Sequence, residues 1–301
     1  GYADVPSEQN QEAIEVLKEV GIMVGDDKGN FNPEAKVTRN EMAVVMSNLM
    51  AYNVKTYANT SPFTDVPEWA EPYVAACYTN GITSGYDAKT YGGNDSVTTG
   101  QAALMVMKAL GYFQYSSDFG SDWQIATVKQ ASSIDLFKDI NTGVNDALSR
   151  NNVAQLALNT LEATMVQPTK NGSTIIVGDI TINTTSSRKD VVNNDKNESI
   201  SEDNKMQFAE RYFDDLQKAP GEADDFGRPS NIWTLKSDEI GTYANMDQLV
   251  GTYTAKVSKS DVYEAVGRTV YNDLTDGKSD LTVWFDGVET PVKTADVEDY
   301  V

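Results

Sequence analysis

Apolar positions along this chain follow two regimes. Through about residue 166 they recur at three- and four-residue intervals. Ala13, Val16, Leu17 and Val20 share one face of a predicted helix, and Gly21 is placed to stop it. A second helix is predicted within "KVTRNEMAVVM", residues 36 to 46. There Thr38 and Glu41 form an S/T-x-x-E capping box, and Val37 and Met42 are spaced as a hydrophobic staple. After "LEATMV" the period changes. "STIIVGDITI", 173 to 182, reads as two short β runs about Gly178 and Asp179. The polar stretch 183 to 205 reads as a linker or mobile loop. In "NKMQFAERYFDDLQKA" a helical stripe of Met206, Ala209, Phe213 and Leu216 ends at Pro220 and Gly221. From Asn231 the chain alternates. "GTYTAKVS" and "LTVWFDGVETPV" read as strands, the latter with a tight turn at Asp286 and Gly287, and "SDVYEAVGRTVYND" reads as a helix between them.

The helical pattern repeats. "DVPSEQNQEAIEVLKEVGIMVGDDKGNFNPEAKVTRNEMAVVM" from Asp4 matches "DVPEWAEPYVAACYTNGITSGYDAKTYGGNDSVTTGQAALMVM" from Asp65 in register. Gly21 corresponds to Gly81, Gly25 to Gly85, Phe31 to Tyr91, Val37 to Val97 and Thr38 to Thr98. A worn third copy places Ser149 and Arg150 where the first has Thr38 and Arg39. Each copy reads as helix, Gly-rich loop, helix, and one such hairpin cannot bury its apolar face alone. The expected fold is an all-α domain of three pseudo-threefold helical hairpins over 1–166, with repeats at about 2–57, 63–113 and 120–166. A β segment and polar linker follow at 167–202, then a smaller α+β or β-rich domain at 203–301 whose role the sequence does not give. Strand-like residues running up to Val301 suggest a piece of a longer protein.

Charge narrows the chemistry. The 24 basic and 45 acidic residues give a net charge of −21, so nucleic acid would be repelled. The chain has no histidine and one cysteine, which removes the commonest metal ligand and general base, an intrachain disulfide and any Cys-based zinc site. "GDDKGN", 25 to 30, has Phe31 where a calcium-binding EF-hand loop needs glycine. No cofactor or metal is expected. No run of 18 apolar residues occurs, so no transmembrane segment is expected, and the first ten residues lack the pattern of a signal peptide. Cys77 falls on the apolar side of "YVAACYTNG", as a small buried hydrophobe would.

Capping accounts for Thr38, Glu41 and Val37 but not for Arg39, a cation in the first turn where the helix dipole is positive, at a cost of about 0.3–1 kcal/mol. Arg39 and Arg150 read either as solvated arginines paired with acids, or as guanidinium forks that join the free amides of a helix start in holding a carboxylate or phosphate. On the second reading Arg39→Ala preserves or slightly raises stability, and Thr38→Ala lowers it by about 1 kcal/mol.

With "FTDVPEWAEPY" at 63–73, "VGDDKGNFNPEAKVTRNE" at 24–41 and the weaker "LSRNN" at 148–152, the chain resembles the S-layer homology (SLH) family, whose repeats pair an opening F-x-D-V-x-x-x-W with a closing T-R-x-E. The resemblance covers roughly residues 1–166. It implies a three-pronged helical fold docking noncovalently on an anionic secondary polysaccharide of the bacterial cell wall, commonly pyruvylated, with the motif arginine on the anionic group and tryptophan and glycines at the sugar. It makes Arg39 the first anion contact and Arg150 the second, with Thr38 and Glu41 shaping the helix start. Thr99 stands in the arginine position of the middle copy, so that groove lacks the contact. Trp69 reads equally as a sugar-stacking face or a wedge between prongs, and Trp123 takes its place in the third copy. Gly25 and Gly85 read as turn glycines with positive φ or as ligand contacts.

The resemblance also implies a secreted protein of the cell wall or S-layer, noncatalytic, with self-association in a surface layer. Two other readings stand beside it. One is an SLH-anchored carbohydrate-active or proteolytic enzyme fragment, for which Asp224 and Asp225 are an adjacent acidic pair. The other is a host-facing adhesin with a host receptor as partner.

Overall fold

Three repeats supply two helices each: α1 Gln11–Glu19 and α2 Arg39–Leu49, α3 Glu71–Thr79 and α4 Thr99–Leu110, α5 Trp123–Ser133 and α6 Arg150–Glu162. The computed structural model describes residues 2–5, 10–184, 186–194, 197–224, 228–245, 247, 251, 253, 257–278, 281–285 and 288–292. It divides into two compact units, Gly1–Lys218 with Thr234–Ile240, and Ala219–Trp233 with Gly241–Val301.

The helix ends of the repeats follow from the sequence. Thr38 Oγ1 accepts from the Glu41 amide at 3.1 Å while Glu41 Oε1 accepts from the Thr38 amide at 3.2 Å, and Thr98 with Gln101 does the same. Ser149 accepts from the Asn152 amide at 3.2 Å, and Asn152 returns no bond. Gly21 (φ 76°) and Gly81 (φ 73°) adopt the left-handed conformation after α1 and α3, where a side chain would be strained.

The helices do not pair as hairpins within a repeat. Each second helix packs chiefly on the first helix of the next repeat, α2 on α3 and α4 on α5, and α6 of the last repeat closes on α1. Around the centre the three extended segments ahead of α2, α4 and α6 form a cyclic set of backbone hydrogen bonds. The Val37 amide donates to Leu148 O (3.0 Å), the Leu148 amide to Val97 O (3.1 Å) and the Val97 amide to Val37 O (2.8 Å). The three side chains are sealed beneath it, none more than 1% exposed. Each burial of such a side chain contributes about 1.5–3 kcal/mol.

The expectation of an all-α domain followed by a smaller domain does not hold: the described chain is mixed α/β, with eight helices and nine strands in four small sheets. Strands already lie inside the first unit. β1 Val166–Lys170, β2 Ser173–Val177, β3 Ile180–Thr184 and β4 Ser187–Asp190 pair antiparallel as β1 with β4 and β2 with β3. The β2–β3 hairpin is the predicted one, turning at Gly178 (φ 61°). The stretch 183 to 205, read as a linker or mobile loop, contains β4 and the buried residues Val191, Asn193 and Ile200.

It is fixed by a second backbone triangle. The Met165 amide donates to Met206 O (2.8 Å), the Met206 amide to Val191 O (2.9 Å) and the Val191 amide to Met165 O (2.9 Å). Just beyond, the buried Glu210 carboxylate accepts from the amides of Gln207 (2.9 Å), Ile200 (3.1 Å) and Ser201 (3.3 Å). A few apolar residues suffice to order a polar stretch when its backbone groups are paired in this way.

The helix expected within "NKMQFAERYFDDLQKA", 204 to 219, is one short piece, α7 Phe208–Tyr212. Met206 belongs to the triangle, and Leu216 begins β5 Leu216–Gly221, so their shared helical spacing is coincidental. β5, β6 Ser230–Leu235 and β7 Asp238–Ala244 form a three-stranded sheet in that order. In the second unit the predicted helix is α8 Lys259–Thr275, broken at Gly267 (φ 78°), with Val262 and Leu274 buried against Val257, Val266, Tyr271 and Leu281. β8 Leu281–Phe285 and β9 Val288–Val292 form the predicted antiparallel hairpin. Its turn at Asp286 and Gly287, half of "GTYTAKVS" and Asp225 lie outside the described residues.

Candidate functional site

The amides at the arginine-bearing helix starts are not free. The Arg39 amide donates to Asp95 O and the Asn40 amide to Gly93 O, both at 2.9 Å. The Arg150 amide donates to Ala35 O at 2.8 Å and the Asn151 amide to Pro33 O at 2.9 Å. With the third amide taken by the N-cap oxygen, backbone carbonyls of a neighbouring repeat fill the place expected for an anion. That part of the expected anion site is corrected; what remains is the guanidinium group.

Both guanidinium groups reach across a seam between repeats. Arg39 Nε donates to Tyr91 O at 3.2 Å and Nη2 to Ser84 O at 2.9 Å, with the cation 4.6 Å from the centre of the Tyr91 ring and 4.8 Å from that of Tyr86. Arg150 Nε donates to Phe31 O at 2.7 Å and Nη2 to Val24 O at 2.9 Å, 4.6 Å over the Phe31 ring. Neither forms a carboxylate ion pair or uses Nη1 in a hydrogen bond among the described residues. Neither is the solvated, acid-paired arginine of the simpler expectation. Arg39 is 6% exposed, and its dipole cost is met by carbonyl acceptors and ring faces. Burial holds the Arg150 pKa below its usual value, against the nearby Glu41, Tyr2, Asp26 and Asp4.

The middle copy departs consistently. Thr99 faces Thr142, hydroxyl to hydroxyl at 2.8 Å, and Thr142 occupies the position of Phe31 and Tyr91 in its own repeat. An arginine thus goes with an aromatic residue of the neighbouring repeat, and a threonine with a threonine. Sequence comparison matched Phe31 with Tyr91 but did not link them to the arginines, although the parallel changes at 99 and 142 were there to be read.

Gly25 and Gly85 have no positive φ, so the turn explanation fails. A Cβ at Gly25 would overlap the Tyr2 ring, and one at Gly85 the Phe63 ring. Each glycine makes room for the aromatic residue that opens its repeat. The Gly25 amide also donates to the Tyr2 hydroxyl at 2.8 Å. Trp69 is 56% exposed, which excludes the wedge reading, and it makes no hydrogen bond or ring contact among the described residues. Trp123 is 38% exposed at the start of α5. Cys77 is buried as expected, and burial raises its thiol pKa to about 11.

Sequence reasoning missed the aspartates opening the first two repeats. Asp4 accepts from the amides of Phe31 and Asn32, each at 2.8 Å. Asp65 accepts from those of Tyr91 (2.8 Å) and Gly92 (2.9 Å). They hold the loops on which the arginines close. Their signal was the repeated "DVP".

The family profile for the S-layer homology domain matches residues 1–43 and 62–103, which carry Arg39, Phe31 and Tyr91. That match, with those to surface-layer and cell-wall proteins, supports an SLH-repeat bacterial surface protein located at the cell wall or S-layer. It is 22% identical over 287 residues to the Middle cell wall protein of Brevibacillus brevis, covering 92% of this chain and 25% of that one. It is 32% identical over 101 residues to the Surface-layer 125 kDa protein of Lysinibacillus sphaericus, 33% of this chain and 8% of that one. Exoglucanase XynX of Acetivibrio thermocellus matches at 27% over 147 residues, 44% of this chain and 13% of the relative. The chain therefore spans a quarter or less of each of these relatives. No helix among the described residues is long and apolar enough to cross a membrane.

Proposed function

We propose that residues 1–166 anchor this surface protein noncovalently to an anionic secondary polysaccharide of the cell wall, without catalysis. The observation that carries the reading is the pair of guanidinium groups at Arg39 and Arg150. In a chain with 45 acidic residues, neither is neutralised by a carboxylate ion pair among the described residues, and in neither does Nη1 form a hydrogen bond there, which leaves it without the charge-assisted partner an anion would supply. Exposed Trp69 and Trp123 supply apolar faces for sugar rings. Thr38, Glu41, Gly25 and Gly85 act on this site by shaping the helix start and the loops rather than by touching the ligand. Many copies attached side by side in a surface layer would add avidity to weak single contacts.

The test is a titration of purified wall polymer, native and stripped of its anionic substituents, against the full chain. Binding of the native polymer alone is expected; equal binding of both, or of neither, overturns the reading. The match to a relative named as an exoglucanase favours a second reading, in which the same kind of anchor serves a catalytic part. Sustained sugar release from wall polysaccharide by this chain would favour it over the first.

A further inference from the structure

The two arginine seams are not equally open. At Arg150 the Phe31 ring covers one side of the guanidinium, and the position that could cover the other, Asp26, is turned onto its own loop, accepting from the amides of Lys28 and Asn30 at 2.9 Å. Asp26, Glu41 and Asp4 lie near enough to act on Arg150 through their charge, yet none forms an ion pair with it. At Arg39 the equivalent of Asp26 is Tyr86. Its ring lies over the guanidinium at 4.8 Å on one side, as Tyr91 does at 4.6 Å, and its hydroxyl is tied to Asp95 Oδ2 at 2.9 Å. The ring rests on Gly92, where a Cβ would overlap it. Arg39 is consequently 6% exposed, whereas Arg150 is half-buried.

We infer that Tyr86 is a cover over the Arg39 seam, so that Arg150 is the first anion contact and Arg39 engages only when the Tyr86 ring swings away. The consequence for ligand binding rests on the anion-binding reading above; the covering itself does not. It reverses the order that the motif resemblance implies. Tyr86 is 53% exposed, so solvent already reaches its outer face, and its movement gives up the Asp95 tie, the stacking on Arg39 and the contact with Gly92.

Arginine-specific labelling of the folded full chain with phenylglyoxal, resolved by peptide mass spectrometry, tests the covering directly. If the open state is populated at roughly 10% or less, Arg39 is labelled about tenfold or more slowly than Arg150. Tyr86→Ala should bring the two rates together. Tyr86→Phe, which keeps the ring and loses only the tie, should fall between and guards against a misfolded alanine variant. Equal labelling in the wild-type chain, or no acceleration in either variant, overturns the inference. A parallel titration with wall polymer compares Arg150→Gln and Arg39→Gln. Arg150→Gln is expected to lose most of the affinity and Arg39→Gln little, with Arg39 gaining weight in the Tyr86→Ala background. The reverse order overturns the inference. Absence of wall-polymer binding with the labelling pattern intact overturns the anchor reading and leaves the covering standing.

Discussion

Arg150 of the third repeat donates from Nε to the carbonyl of Phe31 in the first, 119 positions earlier, and lies over the ring of the same residue. The bond ties the last repeat to the first at one of three seams, and Arg39 with Tyr91 ties the first to the second in the same way. The arginines are therefore structural whatever they bind. Arg39→Ala leaves two carbonyls without their charged donor and empties a buried site. Hydrogen bonds to charged groups contribute about 1.5–3 kcal/mol each, so a loss of about 2 kcal/mol is expected in denaturant unfolding. This reverses the neutral or stabilising effect that the dipole argument alone gives, and an unchanged midpoint would restore that argument.

The third seam offers a matched control. Thr99→Arg alone should not stabilise, since Thr142 offers no ring face. Thr99→Arg with Thr142→Phe should show a favourable coupling in a double-mutant cycle, read from the four unfolding free energies. Simple addition of the two single effects would show that cation and ring do not act as a pair.

The central triangle of backbone bonds predicts where packing matters most. Leu148 is fully buried beneath it, and Leu148→Ala should cost about 2–5 kcal/mol. Because the three segments close on one another, the loss should appear in a single cooperative transition for the helices of all three repeats, followed by hydrogen exchange. Selective exposure of the third repeat would contradict the closed arrangement.

Gly85 is a test of space rather than of backbone conformation. Its φ is not positive, but an added Cβ meets the Phe63 ring and two backbone carbonyls. Gly85→Ala should destabilise by about 1–3 kcal/mol. Phe63→Leu in the same background should recover part of that loss in thermal unfolding.

Acid should loosen the loops through Asp4 and Asp65. Bonding to the Phe31 amide lowers the Asp4 pKa, with burial opposing and the Asn32 amide assisting. At Asp65 burial opposes ionisation, but the amides of Tyr91 and Gly92 outweigh it, and its pKa too is lowered from 3.8. A carboxylate depressed on folding contributes stability that is present above its unfolded pKa and is lost as pH falls through its folded one. Stability should therefore fall below about pH 4. Asp65→Asn should be less stable than wild type at pH 7 and approach it by about pH 2. A constant gap between the two across that range would remove Asp65 from the acid response.

Much of this was legible in the chain itself. The capping box at Thr38 and Glu41, the stops at Gly21 and Gly81, the hairpin about Gly178 and the helix after Ser258 all rest on local chemistry, which sequence carries directly. Partnership was not legible. Periodicity shows that Val16 and Leu17 share a buried face, but not that α6 rather than α2 covers it. The same limit made Met206 and Leu216 look like one helical stripe, when one is buried by a backbone triangle and the other by a strand. The arginines were found by motif, yet their acceptors are carbonyls, and a carbonyl is carried by every residue and leaves no mark in a sequence.

The closure of α6 on α1 also sets an order of events during synthesis. The first helix leaves the ribosome well before the segment that will cover Ala13, Ile14, Val16 and Leu17 has been made, so it has no native partner while the chain is short. A chain built this way cannot complete its first repeat until the last has been translated. The helices between them, α2 with α3 and α4 with α5, are under no such delay, so the seam between first and last repeat is the one that closes last.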